Sequence, residues 1–344
     1  MRYIVRTTIK DIAKALDVNI GTVSRALNDK PGVSAELRKK IMRKATELSY
    51  RPNGHARGLV TQRTESIGLL SGAETSTFLS NPFYAGIFAG IEAETREHNY
   101  ALMFASATTE SSIFDGRLPK FIVEHRVDGL LIVGAVDEAI IRLLNESHRA
   151  FVLVDYHLPG EDLETVVTNN LRGGRSATEH LLSLGHRHIA FVGGTPLDRG
   201  NFHERLQGYR DALESAGIAY REELVRGGQI VGGHDAALDL LDAHPEITGI
   251  VACNDANALA AIGALRTRSL KVPEDVSVIG FDDIPAAQES WPSLSTMRVD
   301  KIAMGRKAAQ RLLQKLEEGD ASAPHQIVFP AELIVRSSTG APRK

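Results

Sequence analysis

Five polar residues stand directly behind apolar runs: Asp155 after FVLV, Asn254 and Asp255 after IVAC, and Asp282 and Asp283 after VIGF. If those runs are parallel strands, these residues lie outside the carboxyl ends of a sheet, where α/β proteins bind ligands. Asp and Asn are equally at home there as helix caps and turn residues, and Asp255 and Asp283 are read as caps. Asp282 and Asp283 make a poor glycosidase couple, because neighbours at a strand end point apart and no partner carboxylate is evident. His186 and His188 form the HxH of LGHRHIAF without a third ligand nearby, so no metal site is expected. GxGxxG after a strand, GxxxxGKS/T and GxSxG are all missing from the sequence. Neither catalytic residues nor a cofactor are expected.

The elements that must position these residues begin near residue 66. Apolar runs (SIGLL, ALMFAS, DGLLIVG, AFVLVD, HIAFVGG, GIVACND, VSVIGFDD) alternate with amphipathic stretches such as FYAGIFAGIEAETREH, GGRSATEHLLSLGH and RLQGYRDALESAG. That alternation predicts doubly wound parallel sheets. The segment is large for one core, so two α/β lobes with a cleft between them are expected. The break is placed near DLETVVTNN, with a second crossover near SWPSLSTMRVD.

The first 63 residues differ in kind. They hold 14 lysines and arginines against 5 acids, whereas the remainder holds 26 against 38. A basic head on an acidic body points to a polyanionic partner for the head. Thr8, with Asp11 three positions on, opens a helix carrying Ile9, Ile12, Ala13 and Leu16. Asn19 caps a second helix with Val23, Ala26 and Leu27 inward, and Ser34 a third with Leu37, Ile41, Ala45 and Leu48. Three short helices with a tight turn between the first two describe a helix-turn-helix unit, whose second helix presents Ile20, Gly21, Thr22, Ser24 and Arg25 to the major groove.

No run approaches the roughly 18 apolar residues of a membrane span. MRYIVRTTIKD lacks the apolar core of a signal peptide, so a cytoplasmic chain is expected. The single cysteine, Cys253, lies in the apolar GIVAC and is read as a buried, inert thiol.

TIKDIAKALDVNIGTVSRALND, VSAELRKKI, YRPNGHARGL and the closing LIVRSST together resemble the LacI/GalR family of bacterial transcription regulators, across essentially the whole chain. The resemblance implies a helix-turn-helix domain over 1–51, a hinge helix and linker over 52–63, and a two-lobed effector and dimerisation domain, like a type I periplasmic binding protein, over 64–344. It implies DNA contacts from Thr8, Ile20, Gly21, Thr22, Ser24, Arg25 and Asn28 in the head. From the hinge it adds Asn53, Ala56, Arg57 and Leu59, the leucine acting as a minor-groove wedge. Asp17 and Asn19 replace the glycine and serine of many relatives, substitutions the turn should tolerate. Neither Ile20 nor Gly21 can make a bidentate hydrogen bond to a base, so readout there is apolar contact or none.

In the body, Asp155, Asn201, Arg205, Asn254 and Asp282 match effector-contacting positions of the family. Carboxylates, amides and a guanidinium can each engage two neighbouring hydroxyls, a set better suited to a sugar than to a flat purine. Phe83, in NPFY, either gives a sugar ring an apolar wall or packs in the core. The expected partners are double-stranded operator DNA, a sugar and a second copy of the chain, with a tetramer left open and no membrane. The rival readings are a sugar-binding transport component, which calls for a signal peptide and no basic head, and an α/β sugar enzyme, which predicts turnover.

Overall fold

The computed structural model describes residues 7–50, 63–107, 118–193, 200–227, 232–319 and 323–343. The chain divides into two compact units, Met1–Thr64 and Glu65–Lys344.

In the first unit, helices α1 (Ile9–Leu16), α2 (Ile20–Leu27) and α3 (Ala35–Glu47) enclose a small core of Ile12, Ala13, Val23, Ala26, Ile41 and Ala45. The Asp11 carboxylate accepts both the backbone N–H and the hydroxyl of Thr8, each at 2.8 Å, fixing the start of α1. Asp17 ends it in the left-handed region at φ 50°, a conformation Asp tolerates better than most residues. The Asn19 side chain accepts from Gly21 N at 2.8 Å and Ser34 from Leu37 N at 3.3 Å, so each later helix starts on a side-chain cap.

The second unit contains β1 (Ser66–Ser71), β2 (Ala101–Ser106), β3 (Gly129–Val133), β4 (Phe151–Val154), β5 (Thr165–Thr168), β6 (Ile189–Val192), β7 (Val225–Arg226), β8 (Gly249–Ala252), β9 (Ser277–Asp282), β10 (Ser295–Val299), β11 (Gln326–Phe329) and β12 (Ala331–Ile334). They form two six-stranded sheets, ordered β11-β5-β4-β3-β1-β2 and β12-β10-β9-β8-β6-β7. Pairing is parallel except between β10 and β12. Fully buried strands such as GLLIV and GIVA read as unbroken apolar runs because helices cover both faces.

Three segments pass between the lobes. Two fall in the stretches marked by the sequence, where β5 leads into helix Asn170–Ser183 and β10 into helix Lys301–Glu318. A third, unanticipated, joins β11 to β12 through Pro330.

Within the second lobe, helices Asn170–Ser183 and Asn201–Ser215 touch backbone to backbone. A Cβ on Gly174 would stand 2.2 Å from the Arg205 carbonyl oxygen, and one on Gly208 would stand 2.1 Å from that of Leu171. Only glycine permits this approach at either position.

Candidate functional site: an interlobe cavity and a helix-turn-helix face

At the carboxyl ends of the strands, between the lobes, lies a cavity of about 200 Å³. Phe83, Asp155, Asn201, Arg205, Asn254 and Asp282 all line it. So do Asn81, Tyr84, Ala135, Tyr156, Gly200 and Phe202, which sequence reasoning missed. Tyr84, Tyr156 and Phe202 are each the immediate neighbour of a residue already singled out. Phe83 resolves its two readings by doing both: it is 5% exposed within the core cluster and still lines the cavity.

The polar groups form a connected frame. Asn201 Nδ2 donates to the Asp155 carbonyl at 2.9 Å and to Asp155 Oδ1 at 2.8 Å, while Asn201 Oδ1 accepts from Asn170 Nδ2 at 3.1 Å. Arg205 is almost wholly buried. Its Nε donates to Asn170 Oδ1 at 2.9 Å, its Nη1 to the Cys253 carbonyl at 2.5 Å, and its guanidinium carbon sits 3.7 Å above the Phe281 ring. The same Nη1 is 3.5 Å from Asp282 Oδ1, an ion pair without a hydrogen bond, and among the described residues that oxygen is buried without a hydrogen-bond partner. A buried carboxylate oxygen in this condition is costly unless something donates to it.

Burial dominates the acidities. It pushes Asp155 up to about 7, with Arg205 opposing and Asp282 adding to the rise. Asp282 rises to about 6, burial outweighing the attraction of Arg205 and Lys301. Burial, with both carboxylates beside it, also raises the Tyr84 hydroxyl.

The backbone bearing Asp282 is unusual. Asp282 has φ 113° and Asp283 φ 54°, conformations sparsely populated by non-glycine residues. Lys301 Nζ holds the turn by donating to the carbonyls of Asp282, Asp283 and Val299 at 2.5, 3.1 and 3.2 Å.

The readings of Asp255 and Asp283 as caps require correction. The cap of helix Asp255–Thr267 is Asn254, whose Oδ1 accepts from Asn257 N at 2.9 Å. Asp255 is fully buried, accepting from Thr296 Oγ1 at 2.5 Å and Ile284 N at 2.8 Å, and burial beside Asp282 raises it to about 8. It braces the loop behind Asp282. Asp283 instead pairs with Arg298 and Arg336, each at 2.7 Å. His186, too, is structural: Nδ1 meets Thr248 Oγ1 at 3.0 Å and Nε2 the Gly340 carbonyl at 2.9 Å.

In the first unit, α2 buries Val23 and Ala26 and leaves Gly21, Arg25 and Asn28 exposed, with Thr22 and Ser24 half-buried. Ile20 is 42% exposed, notable for a large apolar side chain in so small a unit. Arg25 Nε donates to the Gly21 carbonyl at 3.2 Å and Asn28 Nδ2 to that of Ser24 at 2.9 Å. Thr8 is exposed, its hydroxyl engaged by Asp11. Arg38, one of the basic residues of the head, is a clamp: it pairs with Asp29 and donates to the Lys30 carbonyl at 2.8 Å, closing the α2–α3 connection. Asn53, Ala56, Arg57 and Leu59 lie outside the described residues.

Residues 8–53 match the family described as bacterial regulatory proteins, lacI family, and residues 178–339 match a periplasmic binding protein-like domain. Over 338 residues the chain is 36% identical to the HTH-type transcriptional regulator CelR of Thermobifida fusca, covering 97% of this chain and 98% of that protein. The chain belongs to the LacI family. As a LacI-family protein it is a helix-turn-helix transcriptional regulator that binds DNA. A solved CelR–cellobiose complex aligns with TM-score 0.74 at 33% identity over 97% of this chain and 100% of that one. A lac repressor dimer bound to operator and the anti-inducer ONPF aligns with TM-score 0.83 at 24% identity, over 98% and 100%, a likeness of fold. Among the described residues of this LacI-family chain, no helix is long and apolar enough to cross a membrane.

Proposed function

We propose that this regulator is a homodimeric, cytoplasmic repressor of sugar-utilisation genes, released from a roughly palindromic operator when a sugar fills the interlobe cavity. The observation that carries the effector half is the cavity itself. Two carboxylates, three amides and an arginine converge there among aromatic rings, and among the described residues Asp282 Oδ1 lacks a donor that a hydroxyl would supply. Asn254, its Oδ1 engaged as a cap, offers Nδ2. The relation to a regulator solved as a complex with cellobiose supports a sugar as the ligand class.

In the DNA half, two heads read two half-sites because operator symmetry mirrors dimer symmetry. Ile20, Gly21, Thr22, Ser24, Arg25 and Asn28 face the groove, with Thr8 at the start of α1. Asn53, Ala56, Arg57 and Leu59 serve the hinge, Leu59 entering the minor groove. Sugar binding favours the lobe arrangement that binds DNA less well, and differential affinity for the two states sets the sign. The sugar leaves unchanged.

The test is fluorescence anisotropy on labelled DNA from the gene's upstream region, across salt and then across mono- and disaccharides. Salt-dependent binding that exceeds binding to scrambled DNA and is released by one sugar is the expected result. Binding strengthened by the sugar reverses the sign, and loss of all specific binding overturns the operator reading. Product analysis of the sugar that binds checks for turnover.

A further inference from the structure

We infer that the interlobe cavity takes an uncharged sugar and rejects sugar phosphates and uronates, an inference that rests on the sugar reading above. Among the described residues lining the cavity, Arg205 is the only cation, and two of its three nitrogens are already engaged. Nε and Nη1 serve Asn170 and Cys253, and the guanidinium is stacked 3.7 Å over Phe281. Lys301, the next cation, has its ammonium on three backbone carbonyls. Against these stand Asp155 and Asp282, both in the lining, with Asp282 Oδ1 lacking a hydrogen-bond donor among the described residues.

A phosphate needs several free N–H donors or cations around it, whereas this wall sets two carboxylates against a single, partly engaged arginine. A neutral polyol supplies hydroxyl donors to those carboxylates and CH faces to Phe83, Tyr84 and Phe202. An added negative charge would lie beside two carboxylates in a poorly screened setting, where like charges repel strongly. Discrimination therefore comes from a repulsive element built into the site.

The test is calorimetric titration of the full-length protein at pH 8, where both carboxyls are ionised. Matched probes are glucose, glucose 6-phosphate and glucuronate; ribose and ribose 5-phosphate; and cellobiose and cellobiose 6-phosphate. The expected result is binding of a neutral sugar with its charged counterpart weaker by about 100-fold or more. In Asp155→Asn the ratio between the two falls about tenfold, even as the neutral sugar itself weakens. A phosphate or uronate that binds as well as its parent overturns the inference and leaves the sugar reading standing. Failure of every probe to bind takes down the sugar reading and this inference with it.

Discussion

Asn201 of the second lobe reaches Asp155 of the first, its Nδ2 donating to both the carbonyl oxygen and Oδ1 of that residue. One side chain thereby ties helix Asn201–Ser215 to the end of β4. Asn201→Ala removes both hydrogen bonds and leaves a buried carboxyl without its donor. Sugar affinity is expected to fall by about ten- to a hundredfold, on the scale of one to two hydrogen bonds to a charged group. Operator affinity without sugar should change far less. Titration calorimetry and anisotropy on the same protein separate the two.

Sugar binding should be linked to proton release. Asp155, near 7, and Asp282, near 6, must be ionised to accept hydroxyl donors fully. Affinity is expected to climb from pH 5.5 to 7.5 and level off above. Calorimetry at pH 6.5 in two buffers of different ionisation enthalpy reads the released protons directly, and equal heats would refute the linkage.

Asp255 should make stability fall as pH rises. Its folded pKa, about 8, lies above its ordinary value, so between roughly pH 4 and 8 the folded state holds a proton that the unfolded chain has lost. Its stabilising contribution is complete below pH 4 and gone above 8, changing by at most about 1.4 kcal/mol per pH unit. Asp155 and Asp282 act in the same direction. Urea unfolding at a series of pH values should give Asp255→Asn a flatter profile than the parent over this window.

His186 works in the opposite sense. Burial depresses its pKa, so the folded state keeps it neutral while the unfolded chain takes up a proton near pH 6.5. Its contribution is present above that pH and is lost as pH falls. His186→Ala abolishes the contacts to Thr248 and to the Gly340 carbonyl and should cost about 1–3 kcal/mol. Thermal melts at pH 7.5 reveal the loss, and operator binding of the folded variant should survive.

Two head residues should separate reading from folding. Ile20→Ala is expected to alter base preference while leaving the head folded, because the side chain is exposed on α2. Arg38→Ala opens the α2–α3 clamp and should weaken binding to every sequence alike through loss of structure. Sequence selection on randomised operators, with circular dichroism of both variants, distinguishes the outcomes.

The two-lobed fold was legible because buried strands such as GLLIV and GIVA are unbroken apolar runs bounded by turns. The crossover at Pro330 was not, since β11 and β12 are half-exposed edge strands four residues long and carry little apolar signal. At the cavity, positions after strands were readable and Asn254 does line it, yet the helix cap is Asn254 rather than Asp255. Which of two adjacent polar residues caps a helix depends on a single residue of phase, and that is settled by where the backbone turns helical. The work of Asp283 was beyond local reading altogether, because its partners Arg298 and Arg336 come from elsewhere in the chain.

Gly174 and Gly208 lie outside the cavity lining, yet they govern where the cavity's arginine stands. Each lets one helix lie on the bare backbone of the other, and the carbonyl that Gly174 approaches is that of Arg205 itself. Any side chain at either position wedges the two helices apart and carries Asn201 and Arg205 with them as a rigid pair. A selection for altered inducer response should therefore return substitutions at these glycines alongside those in the cavity wall. Tuning of the regulator's response is thus written partly in a seam outside the cavity lining.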